Sequence, residues 1–131
     1  MKYFKFAKLV RDNILPYIEN NNQIARGVKV LNDDEFISEL IKKAQEEVKE
    51  MVLASDKNDL KKELADVSEV LDYLKQILDL SDTELEKLKK QKRSKNGGFK
   101  TRTYIEDVGV EENNKWYKYY RKHPNKYPEV K

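Results

Sequence analysis

The sequence predicts an all-α protein, a helical bundle built on an antiparallel helix hairpin. Glycine and proline punctuate only its ends, so that the 69 residues 28–96 contain neither. That stretch is mostly Leu, Ile, Lys, Glu and Ala, a composition rich in good helix formers. Its apolar residues also recur at helical spacing.

The elements follow in order. Residues 11–20 read as a short helix with Pro16 in its first turn, where a missing N–H is tolerated, and the run Asn20-Asn21-Asn22 ends it. Asn32 or Asp33 can cap a helix reaching about Ala54. The cluster Ser55-Asp56-Lys57-Asn58 supplies a break and the next cap, for a helix from about Asp59 to Leu78. Because that connection is only a few residues, the two long helices should pack as an antiparallel pair. Ser81 with Glu84 three residues on is a capping-box pattern, and the helix it opens should stop at Gly97-Gly98. Residues 99–105 alternate in type and predict a short strand, pairing with 28–31 as a small β-hairpin. The tail from Asn113 holds Trp116, Tyr117, Tyr119, Tyr120 and Tyr127 and is expected to pack back on the body or on a partner. No repeat or linker interrupts the chain, so a single domain over 1–131 is expected.

Composition narrows the chemistry. With no cysteine among 131 residues, disulfides, thiolate zinc sites and a cysteine nucleophile are excluded. His123 is the sole histidine, which argues against a His-rich metal site and a His-centred triad. The opening MKYFKFAK has neither an apolar signal core nor a membrane span, and the expectation is a soluble, cytoplasmic protein with no membrane partner. The net charge of +3 hides a segregation: residues 33–86 carry 17 acidic and 7 basic side chains, whereas 87–102 hold eight Lys or Arg and no acid.

The acidic residues are not all alike. At about 100° per residue, Phe36, Ile37, Leu40, Ile41, Ala44, Val48, Met51 and Val52 form one apolar arc. Glu47 projects inside it and Glu50 sits at its border. On the next helix Leu60, Leu64, Val67, Val70, Leu71, Leu74, Ile77 and Leu78 form the arc, with Glu63 inside and Asp66 at its edge. Glu46, Glu69 and Asp72 fall toward water. Four carboxylates meeting at a helix interface need cations or protons, and with no histidine or cysteine nearby an all-oxygen cluster suits Mg²⁺ or Mn²⁺. The alternative is a semi-exposed interface in which these glutamates pair with Lys42, Lys43, Lys61 or Lys62.

These residues also carry a resemblance. Glu46-Glu47-Val48-Lys49-Glu50, twelve intervening residues and Glu63-Leu64-Ala65-Asp66 resemble the EExxE…ExxD signature of the all-α nucleoside triphosphate pyrophosphohydrolases, the MazG-like group. Lys8-Leu9-Val10-Arg11-Asp12 resembles the KLVRDKIP opening of the phosphoribosyl-ATP pyrophosphohydrolase-like branch, and Leu31-Asn32-Asp33-Asp34-Glu35-Phe36 its LDDEEF element. Asn96-Gly97-Gly98-Phe99 with Arg102 is similar to its RGGF…R element, with Asn96 where the branch has Arg. The opening is one residue longer before Pro16 than in that branch.

The resemblance implies Mg²⁺-dependent hydrolysis of a nucleoside triphosphate to monophosphate and pyrophosphate, with Mn²⁺ able to substitute, for removal of noncanonical or surplus nucleotides. It implies Glu47, Glu50, Glu63 and Asp66 as catalytic metal ligands, and a homodimer or higher homo-oligomer. Lys8, Arg11, Lys95, Lys100 and Arg102 are the candidate phosphate-binding residues, since cations can neutralise the β and γ phosphates. Tyr104, Trp116 and Tyr117 are candidates for stacking on the base or for sealing an interface. No specific nucleic-acid partner is expected. The competing function is a non-catalytic helical dimerisation module that binds nucleic acid or senses nucleotides through the basic 87–102 strip.

Overall fold

The computed structural model describes all 131 residues and contains five helices and no strand. They are α1 (Ile14–Asn20), α2 (Asp33–Val52), α3 (Lys57–Ile77), α4 (Asp82–Asn96) and α5 (Lys115–Lys122). None is long and apolar enough to cross a membrane.

Local chemistry accounts for most boundaries. Asn32 caps α2 through a complete capping box, its side chain accepting from the Glu35 N–H at 2.9 Å while Glu35 accepts from the Asn32 N–H at 3.2 Å. Asp56 caps α3, accepting from the Asp59 N–H at 2.8 Å. Ser81 Oγ accepts from the Glu84 N–H at 3.1 Å at the start of α4. At the C-terminal ends, Asn22 closes α1 in the left-handed region (φ +58°), with the Gln23 N–H reaching Ile18 O at 3.2 Å. Asp79 does the same after α3 at φ +51°. There the Leu80 N–H returns to Lys75 O at 2.9 Å and the Asp79 N–H to Gln76 O at 3.1 Å, a Schellman arrangement. Gly97 follows α4 at φ +80°.

The chain forms two compact units, Met1–Lys90 and Gln91–Lys131, with the division falling inside α4. In the first unit α2 and α3 pack along each other. Glu47 late in α2 meets Glu63 and Asp66 early in α3, while Phe36 and Leu40 early in α2 share a cavity with Val70 and Tyr73 late in α3. The two helices therefore run antiparallel. Leu40 and Val70 are the buried centre of this pair, each worth about 1.5–3 kcal/mol of apolar burial. The rest of the apolar arcs is less covered: Ile41, Val48 and Val52 on α2, Leu60, Leu64 and Leu71 on α3 and Leu78 just after it are exposed. Beyond α3, Lys75 ties the helix end to the next start by pairing with Asp72 at 3.0 Å and Asp82 at 2.8 Å.

Two sequence expectations are corrected. The β-hairpin does not form: residues 28–31 have no strand and 99–105 make a turn, closed by the Arg102 N–H on Phe99 O at 3.2 Å. Alternation is shared by strands and by extended loops, and only a pairing partner distinguishes them. The first helix begins at Ile14 and not at residue 11. The tail carries a helix of its own, α5, capped by Asn114 accepting from the Trp116 N–H at 2.9 Å, and its rings pack on one another.

Candidate metal centre

The caps of α2 and α3 set the phase of the carboxylates. Glu63 and Asp66, three residues apart, lie on one face of α3. Glu47 approaches them from α2, and one carboxylate oxygen from each of the three lies within 4.8 Å of the others. All three residues are half-buried. Glu50 is exposed and stands outside this group, although its charge still acts on Glu63.

Glu63 feels the crowding most. Its pKa is raised, first by loss of hydration and then by the negative charges of Asp66, Glu50, Glu47 and Asp59. A raised carboxylate among like charges is a place where a cation lowers the free energy. The donor set is entirely oxygen, which fits a hard divalent ion such as Mg²⁺ or Mn²⁺ and does not suit zinc.

Cations from the N-terminal segment already reach this acidic face. The Arg11 guanidinium donates to Asp66 Oδ1 at 3.0 Å, and Lys8 Nζ donates to Glu46 Oε1 at 3.1 Å. Lys43 Nζ lies 3.2 Å from Glu46 Oε2 and 3.8 Å from Glu47 Oε1. Partial burial works against the Glu46 charge, but the hydrogen bonds from Lys8 and Lys43 outweigh it and hold the pKa down. Of the lysines that could neutralise the glutamates, Lys43 thus takes Glu46 and Glu47, whereas Lys42 turns to Glu39 at 3.1 Å. Helical phase places Glu46 toward water, yet it is half-buried and paired, because the segment around Lys8 reaches it. Helical periodicity carries no information about that segment's path.

The segment is tethered at a second point, where the Arg26 guanidinium sits 3.4 Å from the Tyr3 ring centroid. Against α2 and α3 it forms an open-sided cavity of about 170 Å³. Leu9 and Arg11 line it from the segment, Phe36 and Glu47 from α2, and Val70 and Tyr73 from α3. Glu47 therefore belongs to both the carboxylate cluster and the cavity.

Phe36 and Tyr73 as cavity walls were not singled out as functional in the sequence. The available signal was spacing: Tyr73 lies seven residues after Asp66, on nearly the same stripe of α3. Glu69, assigned to the outer face, is exposed but also lines this cavity. Among the other candidates, Lys95, Lys100 and Arg102 are exposed residues of the second unit, and Arg102 adopts a left-handed backbone at φ +54°. Tyr104 is 88% exposed.

No family model, curated protein or solved structure matches the chain.

Proposed function

We propose that the chain is a Mg²⁺-dependent nucleoside triphosphate pyrophosphohydrolase of the MazG-like group. The observation that carries the reading is the approach of Glu47 to Glu63 and Asp66 across two helices, at residues spaced as in the EExxE…ExxD signature. The adjoining cavity supports it, because a planar base lodged in the space that Phe36 and Tyr73 line would sit beside Glu47.

Glu47, Glu63 and Asp66 would hold the ion, with Glu50 supplying further charge from the next turn of α2. The chemistry such an ion would supply there is a lowered pKa for a nearby water and positive charge against the phosphates. The chain's own residues do the rest. Arg11 pairs with Asp66 and Lys8 with Glu46, so both would present positive charge beside the cluster to a polyphosphate. Their positive charge favours electron density moving onto the β and γ phosphates. Water oxygen bonds to the α phosphorus as the bond from that phosphorus to the α–β bridging oxygen breaks; the electron pair leaves on pyrophosphate and the water's proton passes to solvent. A cytoplasmic role in clearing noncanonical or surplus nucleotides follows from the same reading.

The reading includes self-association. The exposed face of Ile41, Val48, Leu64 and Leu71 presents apolar side chains from both helices, and a second copy of the same face would cover them. Sedimentation of the chain against Leu64→Arg tests this: a dimer that becomes a monomer supports it, and a monomer in both opposes it.

The deciding experiment for activity is product analysis over a panel of nucleoside triphosphates with Mg²⁺ or Mn²⁺. One monophosphate and one pyrophosphate are expected, with orthophosphate only after a pyrophosphatase is added. Reaction in ¹⁸O-water should label the monophosphate. A nucleoside diphosphate with orthophosphate would mean attack at the γ phosphorus and would overturn the proposal.

A further inference from the structure

The second unit carries a surface that the hydrolase reading does not use. Residues 113–131 contain six Lys or Arg (Lys115, Lys118, Arg121, Lys122, Lys126 and Lys131) against one acid, Glu129. That acid is already taken, since Arg121 Nη1 lies 3.0 Å from Glu129 Oε2. The remaining lysines are exposed.

Helical phase sorts α5 into two adjoining stripes. Lys115, Lys118 and Lys122 share one, and Trp116, Tyr119, Tyr120 and His123 share the other. The rings brace one another: Trp116 meets Tyr119 edge-on at 5.6 Å and stacks with Tyr120 at 6.4 Å. A turn, with the Tyr127 N–H on His123 O at 2.8 Å, brings Tyr127 back to 5.0 Å from Tyr120. Bracing restricts the rings without covering them, for Trp116 remains 47% exposed and Tyr127 40%. Cations lie over these part-exposed rings, Lys115 Nζ at 5.5 Å from the Trp116 centroid and Lys126 Nζ at 5.4 Å from that of Tyr127, on long side chains that a stacking base can displace.

Pre-oriented, part-exposed aromatic rings next to a row of lysines match a ligand that has both flat rings and regularly spaced negative charge. An acidic peptide would use the lysines and leave the rings idle. A membrane-surface helix inserts a face of Trp, Phe and Leu, whereas α5, KWYKYYRK, offers Trp116 alone among these and otherwise tyrosines, whose hydroxyls stay polar. Duplex nucleic acid keeps its bases stacked within the helix. We propose that this surface binds single-stranded nucleic acid without sequence preference, phosphates lying along Lys115, Lys118 and Lys122 and bases stacking on Trp116 and the rings beside it. The site is independent of the carboxylate cluster and stands or falls separately from hydrolysis.

Trp116 is the sole tryptophan, so the full chain reports its own binding. Titration with a 15-nucleotide oligothymidylate should quench Trp116 fluorescence. With three phosphates neutralised, the logarithm of the affinity should fall with that of salt at a slope of about −2. In anisotropy measurements with labelled oligonucleotide, Trp116→Ala should weaken binding roughly five- to 100-fold. Lys118→Glu with Lys122→Glu should abolish it while circular dichroism stays unchanged, which keeps the test valid should the tryptophan variant unfold. Three results would overturn the proposal. They are oligothymidylate binding with no quenching and no loss in the lysine variant, heparin binding as tight as the oligonucleotide, and a blue shift of Trp116 on anionic phosphatidylserine vesicles with none on oligothymidylate.

Discussion

Arg11 and Asp66 form an ion pair at 3.0 Å, so a cation expected to face phosphate lies on a carboxylate expected to hold metal. The pair joins the N-terminal segment to α3 across 55 residues of sequence. Both side chains remain partly exposed, 58% for Arg11 and 41% for Asp66, and such a pair is worth about 0.2–1 kcal/mol. It is weak enough for a divalent ion to displace.

Arg11→Ala should therefore separate metal from substrate. Mn²⁺ binding, followed by electron paramagnetic resonance, is expected to tighten by no more than about fivefold, matching the pair's ~1 kcal/mol ceiling. Hydrolysis should fall through a raised KM, since the same residue is assigned to phosphate. Mn²⁺ binding lost with Arg11 would show that the guanidinium organises the carboxylates and does not compete for them.

Removing a carboxylate should be far more damaging. Glu63→Gln or Glu47→Gln is expected to lower kcat at least about 100-fold, the scale at which loss of a charge-stabilising group in a site is felt. Glu112→Gln, on an exposed position of the second unit, is the control. Glu69 is unsuitable for that purpose because it lines the cavity. Wild-type turnover and Mn²⁺ affinity in Glu63→Gln would remove this residue from the site.

The raised pKa of Glu63 also predicts a pH dependence. A carboxylate whose folded pKa lies above its unfolded value contributes stability that is full below the unfolded pKa and is lost as pH rises through the folded one. In EDTA, Glu63→Gln should thus have a higher Tm than the native chain at neutral pH. The difference should shrink as pH falls through the raised pKa. Saturating Mn²⁺ should reverse the order at neutral pH, because only the native chain keeps all three carboxylates. Calorimetry at several pH values checks both signs.

Asp79 offers a test away from the site. It occupies the left-handed position after α3, where a side chain costs about 1–2 kcal/mol and glycine does not, although glycine gives back part of this through greater freedom when unfolded. Asp79→Gly should stabilise by about 0.5–1 kcal/mol in urea unfolding, with kcat unchanged. A destabilised variant would mean that the Asp79 side chain makes a contribution exceeding its backbone strain.

The sequence by itself determined, to within about two residues, where the long helices begin and end, and that Glu47, Glu63 and Asp66 lie on the sides by which those helices face each other. Caps at Asn32, Asp56 and Ser81 and the stop at Gly97 are local hydrogen-bond chemistry, and the phase of Glu47, Glu63 and Asp66 follows from 3.6-residue periodicity once those starts are set. Tertiary structure decided the rest. The partners of Lys8 and Arg11 lie 38 and 55 residues away, and no local pattern encodes a contact across that separation. The cavity walled by Phe36 and Tyr73 exists only where three chain segments meet, and the exposure of Ile41 and Leu64 depends on which face of each helix finds a neighbour. Periodicity specifies that a residue is apolar and on a given face; burial, pairing and enclosure are properties of what lies opposite it.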